Sequence, residues 1–263
     1  MQKVVVISGA TSGIGKACAD KFAENGYKVY CLARKEVDNY PYEFIKCDVT
    51  KEEDVNLAVT LIINKEQTID AVLCNAGNGI SGALESFTLK DAKAQFDLNL
   101  FGAFNLAKAF LPKMRAQKFG KIAFMSSVGA IFPLPFQALY SASKNALETM
   151  AYAWREELKP FNIEVGCILP GDTKTNFTVS RQKLADNENY RERDAKSVKK
   201  MEKDEMKGHS PERVAKVVFK SMTKKRMPIR KIVGLEYKLL AILNKILPQR
   251  LVLYIVGKLY YSR

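Results

Sequence analysis

The chain has 263 residues, of which 47% are hydrophobic and 27% charged, a balance typical of a globular protein that excludes wholesale disorder. Five dispersed cysteines and a single histidine, His209, exclude a disulfide framework and a histidine-rich metal site, so we predict a cytoplasmic protein without a metal. The net charge of +14 is uneven, because residues 1–180 carry +1 and residues 181–263 carry +13. The basic third contains no recognisable nucleic-acid recognition element. Its cations are therefore expected to contact a phosphate, an anionic lipid or only solvent water.

Short apolar runs alternate with helical patterns along most of the chain. The runs predict strands at residues 4–8, 28–33, 43–47, 71–75, 121–126 and 163–169. Helical spacing predicts helices at residues 14–25, 51–64, 89–117, 140–159 and 214–222. Thr50 and Glu53 resemble a capping box, and Ser210 resembles an N-cap. The alternation predicts an α/β fold, a doubly wound parallel sheet of the Rossmann type in a single domain, with a C-terminal helical extension.

A glycine-rich turn connects the first strand to the first helix. Gly9 permits a tight turn, Gly13 allows a phosphate to approach the backbone, and Gly15 lets the helix pack closely on the sheet. The helix N-terminus offers free N–H groups and positive partial charge to a pyrophosphate. We therefore predict a dinucleotide-binding site.

The end of the second strand favours NADP(H) over NAD(H). An NAD site carries an acidic residue near this point, which accepts from the ribose hydroxyls. Here Arg34 and Lys35 follow a neutral alanine, and a guanidinium binds a 2′-phosphate bidentately.

Further motifs follow these two in a fixed order. They are Asp48-Val49, Asn75-Ala76-Gly77, Asn99, Ser127, the pair Tyr140 and Lys144, and Pro170-Gly171. Over about residues 3–223 the chain thereby resembles the short-chain dehydrogenase/reductase family, and in particular its branch of hydroxysteroid and retinol dehydrogenases. The resemblance implies an NADP-dependent oxidoreductase that acts on CH–OH donors and forms a homodimer or homotetramer. It also implies a catalytic domain over 1–225, with a substrate lid at 178–209, and an extension over 226–263.

The resemblance also assigns residues to the cofactor. Besides the three glycines, Arg34, Lys35, Tyr140 and Lys144, they are Thr11, Ser12, Ile14, Asp48, Val49, Asn75, Ala76, Gly77, Pro170, Gly171, Thr173 and Thr175. Asp48 and Val49 are expected beside the adenine, and Asn75 to Gly77 along the ribose. The residues expected at the nicotinamide are Pro170, Gly171, Thr173 and Thr175.

The predicted catalytic residues suit proton management during hydride transfer. Tyr140 and Lys144 share one helix face, so the ammonium is expected to stabilise a phenolate and make Tyr140 a general acid and base. Ser127 is expected to hydrogen-bond the substrate oxygen, and its thirteen-residue interval to Tyr140 favours it over Ser126. Asn99 resembles the residue that holds a water between Lys144 and solvent.

The segment between Ser127 and Tyr140 predicts a lipophilic substrate. Its apolar residues, Ile131, Phe132, Leu134, Phe136 and Leu139, form a candidate wall for a steroid-, retinoid- or lipid-like ketone or alcohol. One alternative is a 3-oxoacyl thioester reductase whose basic face binds a carrier protein. Another is a non-catalytic NADP-binding sensor or interaction protein, which the intact catalytic residues disfavour. Residues 226–263 combine apolar and cationic residues, so they cover the pocket, pack on a subunit or contact a membrane peripherally.

Overall fold

The fold is built on a parallel sheet with helices on both faces. The computed structural model describes residues 2–185 and 187–261. Within these residues the strands are β1 (Val4–Ser8), β2 (Lys28–Ala33), β3 (Glu43–Lys46), β4 (Ala71–Cys74), β5 (Ile80–Ser81), β6 (Gly120–Met125), β7 (Ile163–Leu169), β8 (Gln182–Lys183) and β9 (Arg230–Ile232). Seven of them form one parallel sheet in the order β3-β2-β1-β4-β6-β7-β9, and β5 pairs with β8.

The helices surround this sheet and extend beyond it. They are α1 (Gly13–Ala23), α2 (Glu52–Lys65), α3 (Leu89–Phe96), α4 (Gly102–Gln117), α5 (Ala138–Leu158), α6 (Phe177–Ser180), α7 (Arg191–Lys207), α8 (Pro211–Met222), α9 (Leu235–Ile246) and α10 (Gln249–Tyr261). In the part of the chain that is described, none of them is long and apolar enough to cross a membrane. The predicted doubly wound fold is confirmed.

Two core layers explain why the strands are apolar throughout. In β1, Val4 and Val6 pack into the layer with α2, α4 and α5, whereas Val5 and Ile7 pack into the layer with α1 and α8. A parallel sheet that is covered on both faces requires such continuous apolar runs. All five cysteines are free and buried, Cys18 and Cys31 in the second layer and Cys47, Cys74 and Cys167 in the first.

Strand β9, which forms one edge of the seven-stranded sheet, was not predicted from the sequence. Arg230–Ile232 pairs with Cys167–Leu169, although two of its three residues are cations. The segment 226–263 therefore begins with a strand of the main sheet, and its helices start only at Leu235.

The helix predicted at 89–117 is interrupted. A π-helical segment, Asp97–Phe101, separates α3 from α4, and Asn99 lies inside it. The capping box predicted at Thr50 is wrong, since α2 begins after Lys51 and the Thr50 hydroxyl instead donates to Asp48 Oδ1 at 2.8 Å. The N-cap predicted at Ser210 is confirmed, because its side chain accepts from the backbone N–H of Arg213.

Candidate functional site

A cavity of about 640 Å³ lies at the carboxyl ends of the central strands. Ligands of open α/β sheets bind at this edge. Every residue that the sequence assigned to the cofactor lines this cavity, namely Gly9, Thr11, Ser12, Gly13, Ile14, Gly15, Arg34, Lys35, Asp48, Val49, Asn75, Ala76, Gly77, Tyr140, Lys144, Pro170, Gly171, Thr173 and Thr175. Ser127 lines it as well, so residues from distant parts of the chain meet around one space.

The glycine turn forms a cradle that larger residues would fill. Gly9 has a φ of +64°, and a Cβ there would lie 2.9 Å from the Cα of Ala76. A Cβ at Gly15 would lie 2.1 Å from the carbonyl oxygen of Gly9, which only glycine avoids. The turn thus brings bare backbone N–H groups at the start of α1 to the cavity, an arrangement that fits a pyrophosphate.

Ser8 and Asn75 fasten this turn to the end of β4. The Ser8 hydroxyl accepts from the backbone N–H groups of Asn75 and Ala76 at 3.0 and 3.1 Å. In return, the Asn75 amide donates to the carbonyls of Ser8 and Gly9 at 3.0 and 3.1 Å. The Ser8 hydroxyl therefore positions the backbone of Asn75 and Ala76, which line the cavity.

The far end of the cavity is polar and cationic. Arg34 and Lys35 line it and are exposed, and Arg34 forms no salt bridge with any residue that the structure describes. Asp48 and Val49 line the cavity as well, and Asp48 Oδ1 accepts from the backbone N–H and the hydroxyl of Thr50. A free guanidinium at this point suits an anionic group such as a phosphate.

Tyr140, Lys144 and Ser127 come together at the middle of the cavity. Tyr140 and Lys144 both project from α5, and the Lys144 Nζ lies 5.9 Å from the Tyr140 ring centre. Lys144 donates to the carbonyl oxygen of Met125 at 2.9 Å. Ser127 follows β6, where its hydroxyl accepts from the backbone N–H of Gly129 at 3.0 Å and hydrogen-bonds Tyr140.

Burial shifts both titratable groups toward their neutral forms. It raises the pKa of Tyr140, and the hydrogen bond from Ser127 opposes this only in part. Burial likewise lowers the pKa of Lys144 to about 8. Burial is the largest cause of the shift at Tyr140, so the cavity favours the protonated hydroxyl of this residue.

Asn99 lies behind the cavity wall rather than on it. Its side chain accepts from the backbone N–H of Asn78 at 3.0 Å and donates to the Asn78 carbonyl at 3.0 Å. It also donates to the Ser143 hydroxyl at 3.1 Å. A Cβ on Gly77 would lie 3.0 Å from Asn99 Oδ1 and 3.3 Å from Lys144 Nζ, so a larger residue there would press on both side chains. Asn99 thus positions Asn78, which does line the cavity.

Ser126 has a structural partner of its own. Its hydroxyl donates to Glu148 Oε1 at 2.9 Å, and Glu148 is itself buried. Ser126 also lines the cavity, but the hydrogen bond to Tyr140 comes from Ser127, the serine chosen from the sequence.

The apolar wall predicted between Ser127 and Tyr140 is partly wrong. Phe132 and Leu134 line the cavity, whereas Ile131, Phe136 and Leu139 do not. Ile131 packs against the core, and Phe136 has a φ of +61° with its ring 6.3 Å from that of Tyr190. The segment turns too sharply for all of its apolar residues to face one way.

The C-terminal helices supply the missing part of the apolar wall. Their cavity-lining residues are Tyr237, Leu240, Leu243, Asn244, Leu247, Val252, Ile255, Val256, Leu259 and Tyr260. Tyr237 also packs on Gly171, where an added Cβ would lie 2.1 Å from the ring. Asp172, to which the sequence assigned no role, hydrogen-bonds Tyr237. Covering the pocket is one of the three roles that the sequence left open for residues 226–263.

A buried amide on the wall was also missed. Gln137 is 2% exposed and lines the cavity, and its Nε2 has no hydrogen-bond partner among the described residues. Buried donors without a partner are rare in native proteins, so this one suits a ligand. Its position three residues before Tyr140 was the available signal.

The segment predicted as a lid contains most of α6, together with β8 and α7. Ser180, in α6, and Glu205, in α7, line the cavity, as does Phe177 directly before the segment. Glu205 forms a salt bridge with the buried Arg181 and accepts from the Thr178 hydroxyl at 2.6 Å. This network holds α6 and α7 together over the cavity.

Comparisons with known proteins agree with this geometry. Residues 3–186 match the family profile described as short chain dehydrogenase. The chain is 36% identical to a protein of Bacteroides thetaiotaomicron named 3-ketodihydrosphingosine reductase, over 99% of each chain. It is 32% identical to rat estradiol 17-beta-dehydrogenase 1, over 66% of this chain and 55% of that protein, in line with the branch that the sequence resembles.

Solved structures give the same result. A short-chain dehydrogenase from Streptomyces avermitilis superimposes with a TM-score of 0.84 at 28% identity, over 98% of this chain and 97% of that one. Fold, motif order and sequence similarity agree over nearly the whole chain. This protein therefore belongs to the short-chain dehydrogenase family of oxidoreductases.

Proposed function

We propose that the protein is an NADP(H)-dependent oxidoreductase that interconverts a lipophilic ketone and its secondary alcohol. One observation carries the proposal. Tyr140, Ser127 and Lys144 meet at the middle of a cavity with a cationic end at Arg34 and an apolar end formed by α9 and α10. A charged dinucleotide suits the first end and a lipid-like substrate suits the second.

The residues of the cationic end fit the cofactor. The N–H groups of the glycine turn and the start of α1 would hold the pyrophosphate, and Asn75 to Gly77 would follow the ribose. Arg34 and Lys35 would bind the 2′-phosphate, which makes NADP(H) the preferred form over NAD(H). When bound, the nicotinamide supplies the hydride in reduction or accepts it in oxidation.

The chain's own residues manage the proton. The Ser127 and Tyr140 hydroxyls would donate hydrogen bonds to the substrate carbonyl oxygen and orient it. Tyr140 would then give its proton to that oxygen as negative charge develops, and in oxidation it would take the proton back. The Lys144 ammonium would stabilise the phenolate that remains. Asn99 would act through Asn78 as a positioning residue.

The substrate we propose is a long-chain keto lipid with a second polar group near the ketone. The apolar wall of α9 and α10 suits the hydrocarbon chain, and the unpartnered Gln137 amide suits the second polar group. The Bacteroides relative is named for reduction of a 3-keto sphingoid base, a molecule of this kind, and matches over 99% of both chains. Steroids and retinoids fit the same apolar wall and stay as candidates.

The remaining proposals concern the organisation of the protein. Residues 1–225 would form the catalytic domain and 178–209 a lid, which is supported by Ser180 and Glu205 on the cavity wall. Family membership supports a homodimer or homotetramer, and the five free, buried cysteines support a cytoplasmic location.

The deciding experiment measures consumption of NADPH and NADH by the purified full-length chain. The substrates are a 3-keto sphingoid base, a ketosteroid, retinal and an acetoacetyl thioester, with Tyr140→Phe as the inactive control. We expect turnover of a lipophilic ketone with NADPH and its loss in the control. Turnover of the thioester alone would support the alternative, a 3-oxoacyl thioester reductase whose basic face binds a carrier. Tight cofactor binding without turnover of any ketone would contradict the proposal and favour a cofactor sensor.

A further inference from the structure

Helix α9 carries an apolar stripe on a side that does not line the cavity. We call Leu235, Leu239, Ile242 and Ile246 the outer stripe; their spacing of four, three and four residues places them on one helix face. Their exposed fractions are 65%, 55%, 55% and 72%. Single exposed leucines are ordinary, but an apolar face of this length marks a surface that binds a partner.

The outer stripe is separate from the cavity wall. The cavity side of α9 presents Leu240 and Leu243, roughly a third of a turn around the helix from the stripe. On α10, Leu253 and Tyr254 are exposed as well, and neither lines the cavity. The stripe is therefore not explained by substrate binding.

Cations flank the outer stripe. Lys238 and Lys245 lie one seven-residue interval apart along its side, and Arg250 and Lys258 follow on α10. The single acidic residue between 235 and 261 is Glu236, which pairs with His209. None of these four cations forms a salt bridge with a residue in the described part of the chain. Their charge is thus free to meet anions.

More lysines gather at the start of α9. Burial lowers the pKa of Lys231, and the neighbouring charges of Lys238, Lys224 and Lys220 lower it further. None of the four forms a salt bridge with a residue that the structure describes. A cluster of like charges beside an apolar stripe is complementary to a surface that is itself apolar and anionic.

We propose that the outer stripe and its flanking lysines dock α9 on the surface of an anionic lipid bilayer. The apolar side chains would reach the boundary between headgroups and acyl chains, and the lysines would contact lipid phosphates. A second copy of the chain is a poorer occupant, because a two-fold contact over the stripe would bring Lys238 and Lys245 of both copies together.

Docking in this orientation gives a lipid substrate access to the cavity. Leu240 and Leu243 line the cavity, yet each is 47% exposed, so they connect the cavity wall to the outer surface of α9. A long-chain ketone could leave the bilayer and enter along this helix without crossing water. This consequence rests on the proposed function, whereas the docking itself does not.

Flotation of the full-length protein with lipid vesicles tests the docking. We expect binding to vesicles of phosphatidylcholine with phosphatidylglycerol and little binding to phosphatidylcholine alone. The double variant Leu239→Ser/Ile242→Ser should reduce binding at least about tenfold, because two large apolar side chains no longer insert. Lys238→Gln/Lys245→Gln should weaken binding to the anionic vesicles only. The matched control is Leu57→Ser/Leu61→Ser in α2, whose two leucines are 63% and 44% exposed.

Three results would overturn the docking proposal. One is no flotation of the wild-type chain with anionic vesicles, and another is equal flotation of wild type and the Leu239→Ser/Ile242→Ser variant. The third is a dimer that becomes monomeric by light scattering in this variant, since a second copy would then cover the stripe. Turnover of a water-soluble ketone, measured in parallel, should be the same in wild type and variant. Vesicle binding without any turnover would contradict the proposed function and leave the docking supported.

Discussion

Two hydrogen bonds join the Tyr237 hydroxyl to Asp172, one to its backbone N–H and one to its carboxylate. The Tyr237 hydroxyl accepts from the Asp172 backbone N–H at 3.0 Å and donates to Asp172 Oδ2 at 2.6 Å. The two residues are 65 positions apart in the chain. The pair fixes α9 to the loop that follows β7, beside the cavity and the catalytic residues.

Removal of this hydroxyl should loosen α9 without disturbing the core. In Tyr237→Phe the Asp172 carboxylate and N–H lose their partner, so we expect a loss of about 1–2 kcal/mol in the free energy of unfolding. The KM for a lipophilic ketone should rise, because α9 forms its wall. Urea denaturation and steady-state kinetics measure the two effects. The control is Tyr254→Phe, an exposed tyrosine on α10, and equal behaviour of the two variants would contradict the assigned role.

Arg34 should determine the choice between the two nicotinamide dinucleotides. In Arg34→Asp a carboxylate faces the 2′-phosphate, so we expect the KM for NADPH to rise at least about tenfold and that for NADH to fall. Lys46→Asp is the matched control, since it makes the same kind of charge change at an exposed residue that does not line the cavity. An unchanged ratio of the two KM values in Arg34→Asp would show that another residue makes the discrimination.

We expect the buried Lys144 to lower the free energy of unfolding at neutral pH. Burial lowers its pKa to about 8 from an ordinary 10.5, so between these values the folded chain binds fewer protons than the unfolded chain. The contribution of this group to stability therefore rises with pH across that window. We expect Lys144→Met to be inactive but more stable at pH 7 by about 1–3 kcal/mol, after loss of the bond to Met125.

The pH dependence provides the check on this prediction. The stability advantage of Lys144→Met over wild type should shrink when urea denaturation is repeated at about pH 10, where the lysine of the folded chain is already neutral and that of the unfolded chain begins to lose its proton. An advantage that grows with pH, or a variant that is less stable at pH 7, would contradict the assigned burial cost.

Asn99 should affect the catalytic rate through Asn78. In Asn99→Asp the side chain still accepts from the Asn78 N–H, but it no longer donates to the Asn78 carbonyl or to Ser143. We expect a loss of about 1–3 kcal/mol in stability and a lower kcat, with the KM for NADPH unchanged. Asn64→Asp, at an exposed residue of α2, is the control. A variant with lower stability and full kcat would reduce Asn99 to a structural role.

We expect the Gln137 side-chain amide to hydrogen-bond a polar group of the substrate. Gln137→Leu keeps the side-chain size and removes a buried amide nitrogen without a partner, so the stability should stay the same or rise. The kcat/KM for a keto lipid with a neighbouring polar group should fall about 5- to 100-fold, and that for a plain ketone should not. Kinetics with such a pair of substrates decides, and an equal effect on both would refute a role in specificity.

The sheet and the position of the site were predictable because both follow from local patterns. The continuous apolar run from Val4 to Ile7 indicates a strand buried on both faces, and the glycines after it indicate a turn that holds a phosphate. Tyr140 and Lys144 share a helix face by their spacing alone. Each of these signals lies within a few residues of the chain.

Features that depend on distant contacts were not predictable in this way. Strand β9 has two cations among three residues, and only its pairing with β7 makes it a strand. The π-helical segment at Asn99 has the same apolar spacing as a helix. The left-handed backbone at Phe136 redirects the apolar segment before α5, and the contact between Tyr237 and Gly171 crosses 66 positions of sequence.

The cysteines are divided between the core layers on the two faces of the sheet, so the local unfolding of each layer can be followed separately. Cys18 and Cys31 lie in one core layer, and Cys47, Cys74 and Cys167 lie in the other, all at 0–1% exposure. Burial raises the pKa of Cys31 and of Cys47 to about 12, so their thiols react only when a layer opens. Slow alkylation followed by mass spectrometry would therefore report the local unfolding of each layer, with the native chain as its own probe.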